Sequence, residues 1–185
     1  MKFEDLIREL NKYADDQRAV HSSRFFKTGV GEYGEGDIFI GVTVPDTRKV
    51  CKMFKNLPLS ETQKLLDSPI HEHRLSAVIL LVNQFGKNQE NIYKFYLKNV
   101  YEGRVNNWDI VDSSAHQIVG GYLYNKSRDI LFELADSENL WQRRIAIIAT
   151  FYFIKKGDAS TTIELAEKLL KDDQDLMHKA VGWML

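Results

Sequence analysis

The chain has one cysteine, three prolines and a formal charge of only −1, and each shortage excludes something. A lone cysteine, Cys51, can form no intrachain disulfide and suits a reducing cytoplasm, the expected location. Its small apolar side chain reads as a core residue of a helix rather than a reactive thiol. With so few prolines long stretches are free to be helical, and the four longest patterned segments have helical period. The near-zero charge lacks the excess of Lys and Arg that strong nucleic-acid binders show, although a balanced total can hide a basic face. No long hydrophobic run is present: Ile145–Ile154 is about half of the ~20 residues a membrane span requires. Met1-Lys-Phe-Glu-Asp-Leu6 has acids where a signal peptide would be apolar. What remains, 44 % hydrophobic and 28 % charged residues, is ordinary for one soluble domain with a real core and no membrane partner.

Residues 3–26 read as two short helices. Phe3, Leu6, Ile7 and Leu10 recur at helical spacing, and Asp15-Asp16 can cap the second segment. That segment ends in a basic and aromatic cluster, Arg24-Phe25-Phe26-Lys27. Gly29, Gly31 and Gly34 match the spacing of a dinucleotide fingerprint, but a helical segment precedes them and an irregular one, Asp37–Gly41, follows; the motif needs a strand before and a helix after. A glycine loop joining helices is the better reading. Pro45 sits where a helix can start, and Val50, Phe54 and Leu57 give that helix its apolar side.

From about residue 60 the chain repeats itself. Segments starting at Asp67, Asp136 and Asp172 each have an acid first, a basic residue seven on (Arg74, Arg143, Lys179) and a small residue ten on (Ala77, Ala146, Gly182). A further unit starting near Glu102 fills the largest gap. Other helical segments, roughly 87–98, 126–135 and 158–170, lie between. Paired helices at a period near 35 residues are the signature of an α-solenoid. The tetratricopeptide consensus is absent, and HEAT-like pairs describe the pattern better. The expectation is an all-α fold, a right-handed superhelical solenoid of HEAT-like helix pairs, forming one domain over residues 1–185.

The pattern breaks at three places. Ten residues in, the unit near Glu102 has Asp112 where its sisters have small residues. Eight in, the unit from Asp136 has Arg144 where the others have Leu75, Ile110 and Ala180. Eleven in, the last unit has Trp183 where the others have Val78, Ser113 and Ile147. Trp108 lies four residues before Asp112, so the indole and the carboxylate share one helix face, while Ile110 and Val111 turn inward. The bland alternative is a helix start capped by Asn106 or Asn107 with Trp108 as core filler, Trp183 as end packing, and Arg143-Arg144 as a solvated face. Asp109 and Asp112 also allow an acid/base pair. Other chemistry finds little support: His71 and His73 do not share a helix face and make a poor metal pair, His116 and His178 are isolated, and neither a Gly-x-Ser-x-Gly elbow nor a phosphate loop occurs.

Four stretches in order, Phe39–Arg48, Asn107–Asp112, Leu140–Arg144 and His178–Trp183, resemble the DNA alkylation repair family, the AlkD-like DNA glycosylases. The resemblance covers roughly residues 25–185. It implies a superhelix of HEAT-like repeats and cleavage of the N-glycosidic bond of cationic alkylpurines without extrusion of the base. By position, Trp108 and Trp183 fall on the tryptophans that hold the damaged nucleotide's sugar and backbone. Asp112 falls on the catalytic carboxylate and Arg144 on a DNA-backbone contact, with Arg143 as the alternative register. The family pattern continues past Gly-Trp with further helices that this chain lacks, so Val181, Met184 and Leu185 are expected to be uncovered.

The chemistry suits those residue types. N3- or N7-alkylation makes the purine a good leaving group, and positive charge moves onto the deoxyribose as it departs. A fixed carboxylate in a partly dry site stabilises that charge and can orient the attacking water. Indole faces add roughly 0.5–2 kcal/mol each. No metal or cofactor is required. The expectation is therefore a DNA-alkylpurine glycosylase acting on double-stranded DNA with catalytic Asp112, Trp108 and Trp183, as a monomer or as a weak dimer through its C-terminal helix. The rival is a non-catalytic HEAT-like module that binds DNA structure or a protein, which the neutral charge favours.

Overall fold

A computed structural model describes residues 1–185, and all its regular structure is helical. The helices are α1 (Phe3–Asn11), α2 (Asp16–Phe25), α3 (Val44–Met53), α4 (Leu59–Leu66), α5 (His71–Phe85), α6 (Gln89–Tyr101), α7 (Trp108–Asp112), α8 (Gly121–Leu123), α9 (Asp129–Ala135), α10 (Leu140–Ala149), α11 (Phe151–Ile154), α12 (Ser160–Leu169) and α13 (Asp175–Met184). A π-helical turn, His116–Gly120, stands between α7 and α8. The one β-type pairing is an isolated bridge between Ile38 and Ile70. No helix is long and apolar enough to cross a membrane. The chain divides into two compact units, Met1–Gln84 and Phe85–Leu185.

In the first unit the helices begin where their caps dictate. Asp15 accepts the Arg18 amide at 2.8 Å to start α2, and Thr43 caps α3 with Pro45 in its first turn. The inward residues of α1 and α3 are Leu6, Leu10, Val50 and Cys51, with Phe54 and Leu57 following. Burial pushes the Cys51 thiol up to about 12, which suits a core side chain and not a nucleophile. The irregular segment before α3 is held by α5. Glu72 accepts the amides of Ile40, Gly41 and Val42 at 3.1, 2.8 and 3.3 Å. Gly41 is required there: its φ is +75°, and a Cβ would lie 2.1 Å from the Asp15 carbonyl oxygen. His71 Nδ1 lies 3.0 Å from Asp37, which also takes Arg74, and His73 Nδ1 lies 2.9 Å from Ser68. The triplet His71-Glu72-His73 is thus divided among three local tasks.

In the second unit α10 is central and packs against α7, α9, α12 and α13. The apolar run from Ile145 forms its core: Ile145 to Ala149 are fully buried. Thr150 divides the run into α10 and α11, its hydroxyl donating to the Ile147 carbonyl at 2.7 Å. The helix carrying Trp108 is short and stops at Asp112 before the π-helical turn. One expectation is corrected. Val181 and Met184 are covered, each 5 % exposed, because with Met177 and Ala180 they form the face of α13 turned into the unit. Leu185 alone of the three is open.

Candidate active site

Helix α7 is set by its first and last turns. Asn107 Oδ1 accepts the Trp108 amide at 2.9 Å. Asn107 has φ +80° and ψ 144°, a region that side-chain-bearing residues avoid, at a cost of about 1–3 kcal/mol. Ile110 and Val111 are fully buried. The Ser114 hydroxyl donates to the Ile110 carbonyl at 2.7 Å and meets the Tyr96 hydroxyl of α6 at 2.8 Å. These contacts pin one face of α7 and leave Trp108 and Asp112 half-buried. The cap alternative and the site reading therefore describe the same turn: Asn107 does cap it.

Asp112 meets Arg144 of α10. The guanidinium donates from Nε to Oδ1 at 2.9 Å and from Nη2 to Oδ2 at 2.8 Å, and Nη1 donates to the Leu176 carbonyl of α13. Arg144 thus ties three helices through one planar fork. It is buried, so the solvated-face alternative for Arg144 does not hold. Its neighbour Arg143 grips another carboxylate, Asp172, at 2.6 and 3.2 Å, and donates to the carbonyls of Ser137 and Glu138.

These two forked carboxylates behave oppositely. Burial pushes the Asp112 carboxyl above its ordinary value, with Arg144 pulling down and Asp109 pushing further up. Burial also pushes Asp172 up, but Arg143, the Gln174 amide and His178 together hold it below the usual range. Asp172 is a well-compensated structural pair. Asp112 sits in a drier place beside a second acid, and perturbation of that kind marks functional sites.

Trp183 is 54 % exposed, unlike a packing residue, and its ring lies 5.6 Å from that of Phe151. Phe151 in turn meets the His116 ring edge-on at 5.5 Å, and Lys155 Nζ sits 4.2 Å over its face. His116 follows Asp112 by one turn and opens the π-helical turn, an irregularity common at functional sites. Gly120 closes that turn against α10, where a Cβ would lie 2.1 Å from the Ala149 carbonyl oxygen. The structure therefore puts Asp112 and Arg144 in direct contact, Trp108 a turn before Asp112, and Trp183 in a row of rings that runs through Phe151 to His116. Sequence reasoning treated His116 as isolated and missed Phe151 and Lys155. The four-residue spacing Trp108, Asp112, His116 was the available signal.

A family model described as DNA alkylation repair enzyme matches residues 6–185. Among curated proteins none matches the chain.

Proposed function

The chain belongs to the DNA alkylation repair enzyme family, and we propose that it is a glycosylase that hydrolyses the N-glycosidic bond of cationic N3- and N7-alkylpurines in double-stranded DNA. The observation that carries this reading is the fork itself: Arg144 holds both oxygens of a largely buried Asp112, at 2.9 and 2.8 Å, at the end of the short helix that Trp108 opens. A carboxylate held in a dry place by a rigid fork is poised to meet charge that develops only in the transition state.

In this reading the purine leaves with the electron pair of the C1′–N bond, which neutralises its own positive charge. Asp112 stabilises the deoxyribose cation. Arg144 occupies one site on each carboxylate oxygen, so further lone pairs stay open toward the sugar and the water. Trp108 and Trp183 offer indole faces to the cationic sugar and the backbone. Arg144 spends three of its five N–H donors on Asp112 and Leu176, leaving two for a backbone phosphate. We assign that contact to Arg144 and not to Arg143, whose contacts with Asp172, Ser137 and Glu138 use four of its five N–H donors. The protein would act as a cytoplasmic monomer without metal or cofactor.

The test is release of 7-methylguanine and 3-methyladenine from methylated duplex DNA by the purified chain, with uracil-containing duplex as control. Both methylated bases are expected to be released and uracil retained, because uracil carries no cationic leaving group. Efficient uracil release, or an Asp112→Asn variant that excises at the unaltered rate, overturns the reading.

A further inference from the structure

Resting on the glycosylase reading, we propose that His116 is the base for the hydrolytic water: its Nε2 accepts the water's proton as the oxygen bonds to C1′ of the deoxyribose. Three observations converge on this side chain. It stands four residues after Asp112 on the same run of chain, with its ring against the Asp112 backbone carbonyl, so the carboxylate and the imidazole leave adjacent turns. Its ring is fixed edge-on against Phe151, the residue that also carries Trp183. Nδ1 is buried and the Asp112 backbone carbonyl is the hydrogen-bonding group that acts on the ring, while Nε2 makes no hydrogen bond. A half-buried imidazole with a nitrogen left unspent is unusual, because buried polar atoms are normally satisfied.

The electrostatics fit a base that acts and then resets. Burial holds the His116 pKa below its ordinary value and Lys155 lowers it further, against the opposing pull of the Asp112 backbone carbonyl. The ring is therefore neutral near pH 7 and able to accept a proton. With the resting proton on Nδ1, beside the Asp112 carbonyl, the Nε2 lone pair faces outward. In the step itself, the water oxygen forms its bond to C1′ and one O–H bond breaks, its proton passing to Nε2. The purine has already taken the C1′–N electron pair. The imidazolium, disfavoured by Lys155 and by burial, then gives its proton to solvent.

The experiment is single-turnover excision of 7-methylguanine from duplex DNA at saturating protein, with DNA affinity and melting temperature measured on the same preparations. His116→Phe keeps the ring packed on Phe151 and removes both nitrogens. It is expected to lower the excision rate about a hundred-fold, the low end for a general base since departure of the base runs ahead of attack. DNA affinity is expected to change less than about two-fold. His116→Gln can orient the water without taking its proton and is expected to recover about ten-fold of that loss. Wild-type protein that releases no base overturns the glycosylase reading and this inference with it. A His116→Phe variant at the unaltered rate overturns the inference alone, as does a parallel fall of rate and DNA affinity in both variants, which would mark a packing role. Should His116→Phe not fold, His116→Gln decides: an unaltered rate overturns, a reduced rate with intact DNA affinity supports.

Discussion

Arg144 grips Asp112 with two hydrogen bonds, 2.9 Å at Oδ1 and 2.8 Å at Oδ2, and anchors the third helix through the Leu176 carbonyl. Both side chains are largely out of water, 6 % and 18 % exposed. Removing one partner strands the other. Asp112→Asn is nearly isosteric, its amide oxygen can still accept a guanidinium N–H, and the native state already favours the uncharged carboxyl, so it should cost less than the ~3 kcal/mol of a broken buried pair. Arg144→Met, which strands the Leu176 carbonyl as well as the carboxylate, should cost more. The double variant should lose clearly less than the sum of the two. Urea midpoints for the four proteins test this; strictly additive losses would show that the pair is not coupled.

If Asp112 acts as proposed, it sets the pH dependence of excision: the carboxylate must be ionised, and burial raises its folded pKa above the ordinary 3.8. Excision should therefore be lost on acidification through a midpoint above the usual aspartate range. The stability sign is opposite to that of a typical salt-bridged acid. A native state that holds this proton more tightly than the unfolded chain loses stability from Asp112 as pH rises through the unfolded value toward the folded one. Arg144→Met removes the two influences that pull the carboxyl down and should move the acid limb higher still. Rates against pH in this variant, in wild type and in His116→Gln, which removes the imidazole titration, check the assignment. A limb at or below 3.8, or one that Arg144→Met leaves in place, would contradict it.

The helices were largely legible because hydrophobic period and caps are local. Phe3 to Leu10, Pro45 and the units from Asp67, Asp136 and Asp172 each announce themselves within a dozen residues. What failed to show in the pattern depends on distant partners or on backbone geometry. Arg144 stood out as a break in the repeat, but its burial against Asp112 is a contact across 32 positions. The π-helical turn at His116–Gly120 has no periodic signature, and its need for Gly120 comes from the Ala149 carbonyl. Likewise Val181 and Met184 looked uncovered because only the fold shows which face of α13 turns inward.

His73 supplies a stability prediction independent of the site. Burial, with Arg74 beside it, lowers its pKa from 6.5 to about 4. A neutral buried imidazole must be protonated before the native state can match the unfolded chain. Its contribution to stability is full above pH 6.5 and is lost as pH falls toward 4, on the order of 3 kcal/mol in all. Urea unfolding at several pH values across that window should show a steeper loss for wild type than for His73→Gln. Equal slopes would mean that His73 is not the group responsible.

Gly120 should tolerate no side chain. A methyl group there would lie 2.1 Å from the Ala149 carbonyl oxygen and 2.8 Å from the Tyr152 Cβ, and neither can swing away as a side-chain tip could. Gly120→Ala is expected to cost about 1–3 kcal/mol or more by overpacking, outweighing any gain in helix propensity. Gly182→Ala, which meets open space on α13, should be neutral or slightly stabilising. Melting temperatures of the pair provide the comparison, and a stable Gly120→Ala protein would mean that the turn can move off α10.

Trp183 separates function from packing. More than half of its surface is open, and its ring contact is with Phe151 alone among the aromatic residues. Trp183→Ala therefore removes little buried apolar area, and its melting temperature should stay within a few degrees of wild type. If the indole holds a cationic sugar, the loss should appear instead in the rate. An exposed cation–π contact is worth about 0.5–2 kcal/mol, so excision should slow roughly two- to thirty-fold. Trp183→Phe, which keeps a weaker π face, should fall between. The same ordering should appear for 7-methylguanine and 3-methyladenine, since the interaction is with the sugar and not the base. Single-turnover rates beside melting curves test this directly. A large drop in melting temperature with Trp183→Ala, or an unaltered rate, would return the side chain to the status of surface packing.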